Sequence, residues 1–143
     1  VDSTTSYAWP NKVVLVVEDD LSSLMLLKAI LTRTGVRIIV AEDGESAIDV
    51  IKSNLKVDMV LMDIKLKGLN GLEATKQIRK LQPNLPVIAQ TACAISGDME
   101  RCYDAGCNAY IAKPISRDKL LETMDYYFRR KLAHDLIEVI NNN

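Results

Sequence analysis

The chain has 143 residues, 48% of them hydrophobic and 26% charged, with a net charge of −1. That length gives one domain with material for a real core, and the near-neutral charge argues against bulk attraction to nucleic acid or to an anionic membrane. No apolar stretch approaches the roughly 20 residues that span a bilayer, and Val1-Asp2-Ser3-Thr4-Thr5-Ser6 lacks the basic-then-apolar order of a signal peptide.

In chain order, residues 1–11 are polar up to Trp9-Pro10 and are expected to form a linker. A first strand is predicted over 13–17, running into Glu18-Asp19-Asp20. Leu24, Leu27 and Leu31 then recur at helical spacing until Gly35 stops them. A second strand follows over 36–41. Ala47, Ile48 and Ile51 mark a helix after Gly44 that ends at Leu55. The third strand, 57–62, closes on Asp63. Leu72, Thr75, Ile78 and Arg79 carry the third helix, with Pro83 just past it.

A fourth strand over 86–90 runs into Thr91. Ser96 is the expected N-cap of a fourth helix with Met99, Cys102 and Tyr103 on one face. A fifth strand, 109–112, runs into Lys113-Pro114, a bond able to adopt the cis form. Ser116 is expected to cap a fifth helix that turns Leu120, Met124, Tyr127 and Phe128 inward. Leu132, Leu136, Val139 and Ile140 continue at i, i+4, i+7 and i+8, so residues 132–143 form either a helix extension or a tail.

Alternating strands and helices point to an α/β architecture. Four of the five strands are nearly continuous apolar runs, as expected of parallel strands covered on both faces. The three cysteines, Cys93, Cys102 and Cys107, form no CxxC pair, and the only histidine, His134, lies far from them. Reduced thiols in a cytoplasmic chain, and no zinc site, are the expectation.

Ligands of an open parallel sheet bind beyond the carboxyl ends of its strands. That rule would gather Glu18, Asp19, Asp63, Thr91 and Lys113 in one crevice. A carboxylate can accept a phosphoryl group, and the reaction needs little beyond positioning and charge neutralisation. Asp63 is the candidate acceptor. Glu18 and Asp19 beside it would make an all-oxygen pocket suited to Mg²⁺. Three converging carboxylates would otherwise repel one another. Lys113 offers a compact positive charge and Thr91 a hydroxyl donor. Each residue alone has an ordinary explanation as a turn acid, a cap or a surface charge; only their joint placement carries weight.

As a set, Val16-Val17-Glu18-Asp19-Asp20, Leu61-Met62-Asp63-Ile64, Gly68-Leu69-Asn70-Gly71-Leu72-Glu73-Ala74-Thr75, Thr91-Ala92 and Gly106-Cys107-Asn108-Ala109-Tyr110-Ile111-Ala112-Lys113-Pro114 resemble the receiver domain of two-component response regulators, above all receivers attached to hybrid histidine kinases. The resemblance implies a receiver domain over residues 12–131, with a doubly wound five-stranded parallel sheet, flavodoxin-like (βα)5, in strand order 2-1-3-4-5. It implies phosphorylation of Asp63, Mg²⁺ held by Glu18, Asp19, Asp63 and the backbone carbonyl of Lys65, and phosphoryl contacts from Thr91 and Lys113. It makes Tyr110 the aromatic that moves with Thr91. The implied partner is a histidine kinase or a histidine phosphotransfer protein, with a homodimer compatible. The implied role is regulatory, the domain assisting only its own phosphorylation and dephosphorylation. Many relatives have proline where Lys67 stands. Lys65 and Cys93 border the path of attacking water, which leaves the phosphate lifetime open.

Three other readings compete. One is a non-phosphorylated pseudo-receiver acting as an interaction module, against which the intact set of five site residues stands. A second is a phosphohydrolase, which would want a second acid just past the nucleophile, where this chain has Ile64-Lys65-Leu66. The third is a flavin-binding domain, which would want a glycine- and hydroxyl-rich loop after the first strand.

Overall fold

The structure, a computed structural model, describes residues 6–66, 68–92 and 97–142. Five strands and five helices alternate: β1 (Val13–Val17), α1 (Leu21–Thr32), β2 (Arg37–Ala41), α2 (Gly44–Lys52), β3 (Met59–Asp63), α3 (Gly71–Leu81), β4 (Val87–Thr91), α4 (Asp98–Ala105), β5 (Ala109–Ala112) and α5 (Arg117–Asn141). All strand pairs are parallel and the order is β2-β1-β3-β4-β5, the doubly wound arrangement expected from the sequence.

Alternate strand residues feed two separate cores, as the two-residue period of a strand requires. Leu15, Val17, Val60, Met62, Val87 and Ala89 join Ala47, Ile48, Ile51, Ala74, Ile78 and Cys102 on the α2–α4 side. Val14, Val16, Met59, Leu61, Ile88 and Ile111 join Leu27, Ile30, Leu31, Leu120, Leu121, Met124 and Phe128 on the α1–α5 side. The three central strands are therefore buried on both faces, which is why they read as unbroken apolar runs.

The helices start where side chains satisfy their first amides. Asp20 caps α1 through Ser23 N at 2.8 Å, Asp43 caps α2 through Ser46 N at 2.7 Å, and Asn70 caps α3 through Glu73 N at 2.9 Å. Ser116 caps α5 through Lys119 N, as expected. The cap expected at Ser96 lies outside the described residues, and α4 begins from Gly97.

Several sequence expectations are corrected. Trp9, placed in a linker, is a core residue. It is 7% exposed, its ring meets Phe128 edge-on at 4.9 Å, and its backbone N–H donates to Thr34 O at 2.7 Å. Its indole N–H donates to Asp125 at 3.3 Å. Met99 and Tyr103 are exposed rather than inward. In this two-turn helix the buried line is Asp98, Cys102 and Ala105, at i, i+4 and i+7, roughly 100° away around the axis. Leu55 lies beyond α2 and is exposed, because the helix stops at Ser53.

Arg79 is a second feature that periodicity could not show. Its guanidinium donates to the carbonyls of Gln82, Pro83, Leu85 and Gly106 and to Asn108 Oδ1, with the shortest bonds, to Leu85 and Gly106, both 2.6 Å. One side chain thus ties the end of α3 to the turn before β5.

Candidate functional site

The carboxyl ends of β1, β3, β4 and β5 meet at one edge of the sheet. Backbone bonds fix their relative heights: Glu18 N donates to Ala41 O at 3.0 Å, Ile64 N to Gln90 O at 3.1 Å, and Lys113 N to Thr91 O at 2.7 Å. Asp63 and Thr91 are the last residues of their strands, so each leaves the core at the level where the chain turns.

Three carboxylates converge there. Oxygens of Glu18, Asp19 and Asp63 all lie within 4.8 Å of one another. Glu18 is 1% exposed and Asp63 5%, while Asp19 faces solvent. The Lys113 ammonium enters from β5 and bridges two of them, donating to Glu18 Oε1 at 2.8 Å and to Asp63 Oδ2 at 3.3 Å. The Lys113–Pro114 peptide is cis. Asp63 Oδ1 accepts from Lys65 N at 2.9 Å, and Glu18 Oε2 from Asp20 N at 3.2 Å.

The electrostatics follow from this crowding. Burial, then the hydrogen-bonded Asp63 carboxylate, push Glu18 above the usual carboxylate range, with Lys113 and the Asp20 amide opposing. For Lys113, burial works against the charged form, but bonds and charge from Glu18 and Asp63 outweigh it and raise the ammonium's pKa. The Lys113 ammonium bonds two of the three carboxylates, Glu18 and Asp63. The donor set is all oxygen, part buried and part open to solvent. These are the conditions a hard divalent cation fits, so the residues present match the metal the sequence suggested.

Gly71 brings α3 against this edge. A Cβ there would overlap the Asp63 carbonyl oxygen and sit 2.6 Å from Ile64 Cα. The residue is the first of α3, and its N–H bonds Ile64 O at 3.3 Å. The sequence contains it within a motif but gives no sign of this contact. Thr91 is fully buried, and Tyr110 is half-buried against the α2–α4 core. Of the seven residues named from the sequence, Glu18, Asp19, Asp63 and Lys113 are brought into one cluster. Lys65 joins it through its backbone, and Thr91 and Tyr110 lie on the adjoining strands.

Comparisons with known proteins agree with this geometry. Residues 14–125 match the response regulator receiver domain family. The chain is 37% identical over 133 residues to hybrid signal transduction histidine kinase I of Dictyostelium discoideum, covering 87% of this chain and 8% of the kinase. It therefore spans only a small part of that relative. It is 38% identical over 118 residues to the polar-differentiation response regulator DivK of Brucella anthropi, covering 81% of this chain and 95% of DivK.

Among solved structures, the receiver domain of sensor histidine kinase PA1611 from Pseudomonas aeruginosa, with a magnesium ion coordinated in its active site cleft, superposes with a TM-score of 0.76 at 34% identity. That match covers 82% of this chain and 97% of the other. A CheY-like receiver from Methanospirillum hungatei gives 0.80 at 29% identity, covering 86% and 98%. Sequence, topology and the convergence of acids at the sheet's carboxyl edge place this chain in the response regulator receiver domain family of two-component signalling.

Proposed function

We propose that Asp63 accepts a phosphoryl group from a phosphohistidine and that the resulting state is read through Thr91 and Tyr110. The observation that carries this is the Asp63 carboxylate, at a strand end, hydrogen-bonded to the partly buried Lys113 ammonium beside two further acids. A carboxylate oxygen of Asp63 attacks phosphorus, the N–P bond of the donor breaks, and its electron pair returns to the imidazole, which takes a proton from solvent. Lys113 sits where negative charge on the phosphoryl oxygens would build up. Lys65 N, already pointed at Asp63 Oδ1, holds the acceptor in orientation. Glu18, Asp19, Asp63 and the carbonyl of Lys65 would hold Mg²⁺, which when bound neutralises the charge between acceptor and phosphoryl group.

The role is regulatory rather than enzymatic in the usual sense. Phosphorylation would shift an existing equilibrium, drawing the Thr91 hydroxyl and the Lys113 ammonium toward the new charge and changing the surface of α4, β5 and α5. The donor would be a histidine kinase or a histidine phosphotransfer protein. Leu21 and Met25, 69% and 62% exposed on α1, the helix that Asp20 caps, offer such a protein an apolar landing. Among the described residues no helix is long and apolar enough to cross a membrane.

The test is intact mass after incubation with acetyl phosphate, with and without Mg²⁺. One phosphoryl adduct that requires Mg²⁺ and is absent in Asp63→Ala is expected; an unchanged mass would favour the pseudo-receiver. Metal binding has its own readout. A ligand of the folded state at tenfold its Kd stabilises by about 1.4 kcal/mol, so Mg²⁺ is expected to raise the melting midpoint by about 3–5 °C. Asp19→Asn should reduce that rise, and an equal rise in the variant would remove Asp19 from the metal site.

A further inference from the structure

The last stretch of α5 has its polarity turned the opposite way from a tail that folds back on its own domain. The last core residue of α5 is Phe128, yet the helix continues to Asn141. Beyond that point Arg130, Lys131 and His134 line a groove of about 500 Å³ with Pro83, Asn84 and Pro86. The polar side of the extension therefore looks toward the domain. Its apolar side looks away: Leu132, Leu136, Ile137, Val139 and Ile140 are 51%, 54%, 56%, 59% and 70% exposed. At 3.6 residues per turn these five, with Ala133, form one face about 160° wide. A helix of this length is marginal in water without a packed apolar face. The face needs a partner, and this orientation keeps the chain's own core from supplying one.

We propose that this face, Leu132 to Ile140 of α5, pairs with the same face of a second copy of the chain. Three observations favour a second copy over a different protein. The face is uninterrupted by charge, so it is complementary to itself, as a two-fold interface requires. Lys131 and His134 are turned toward the domain, Glu138 shares their side by helical spacing, and Asp135 near the border is bonded to Lys131 at 3.3 Å, so two copies meet without a like-charge penalty. The five side chains also present on the order of 500 Å² per copy, and a symmetric pair burying about 1,000 Å² reaches the lower bound of a specific interface. The pairing is also compatible with the receiver's chemistry. α5 begins just after Lys113 at the acidic edge and runs back along the sheet, so its far end leaves Asp63 open to a phosphodonor.

The test is sedimentation equilibrium of the whole chain over a concentration series, beside Leu136→Glu and Ile140→Glu. The wild type is expected to move reversibly from 15.9 kDa to twice that mass, and each variant to remain at the monomer mass with the melting midpoint of the dilute, monomeric wild type. Met25→Glu, which charges the exposed apolar residue on α1, should associate like the wild type. A wild type that stays monomeric at several hundred micromolar would overturn the proposal, as would association that survives both α5 substitutions. The acetyl phosphate adduct depends on none of these residues, so failure here is distinguishable from failure of the phosphoacceptor reading.

Discussion

Lys113→Ala is expected to slow phosphoryl acceptance from acetyl phosphate by about 10²–10³-fold, the usual cost of removing one preorganised charge-stabilising donor. The same ammonium is the cation bonded to both Glu18 and Asp63, so its removal also leaves two buried carboxylates facing each other. Breaking such a pair by deleting one partner destabilises a fold because charge stays buried without compensation. The variant should therefore melt at a lower temperature than the wild type. Adding Glu18→Gln, with Glu18→Gln alone as the reference for the lost metal ligand, separates the two effects. It removes one buried charge and keeps the shape, so Lys113→Ala/Glu18→Gln should regain melting temperature yet form adduct far more slowly than Glu18→Gln alone. Time courses by mass spectrometry and thermal melts of the wild type and the three variants check this. A double variant as fast as Glu18→Gln alone would mean that Lys113 acts only by holding the fold.

The second large effect lies at the other end of the molecule. Trp9→Ala is expected to destabilise the chain by about 3 kcal/mol, as for other large core aromatics, lowering the melting midpoint by roughly 10 °C. Trp9 closes the α1–α5 core over Phe128, a full strand length, roughly 17 Å, from the carboxyl edge. Its fluorescence should therefore follow unfolding and stay nearly constant when Asp63 is phosphorylated. Denaturant melts followed by circular dichroism measure the first effect. A variant as stable as the wild type would return residues 1–11 to the role of a linker.

What the sequence could reveal and what it could not divide along physical lines. The sheet was legible because β1, β3 and β4 are buried on both faces, and that burial demands unbroken apolar runs. The acidic crevice was legible because parallel strands point their carboxyl ends the same way, so Glu18, Asp19, Asp63 and Lys113 had to meet once the strands were placed in order. Trp9 was not legible. A lone aromatic in a polar segment carries no period, and its contacts with Asp125 and Phe128 span more than a hundred positions. Arg79 was hidden for the same reason, since nothing local tells a surface arginine from one that gathers carbonyls from two turns. Gly71 stood in a recognisable motif, but the backbone it must admit belongs to Asp63 and Ile64 and shows only in three dimensions. In α4, apolar spacing misled because a two-turn helix touches its core along a single narrow line. The apolar stripe at the end of α5 was visible as spacing. Its outward direction depended on which side the loop at Pro83–Pro86 occupies.

The measurement that bears most directly on the central claim is the position of the phosphoryl group. After reaction with acetyl phosphate and Mg²⁺, borohydride reduces an acyl phosphate on aspartate to homoserine, and peptide mapping then locates the converted residue. Conversion at Asp63, with Glu18, Asp19 and Asp20 unchanged, is the expected result. Conversion at one of those acids, or label on a serine or threonine that survives Asp63→Ala, would contradict the account.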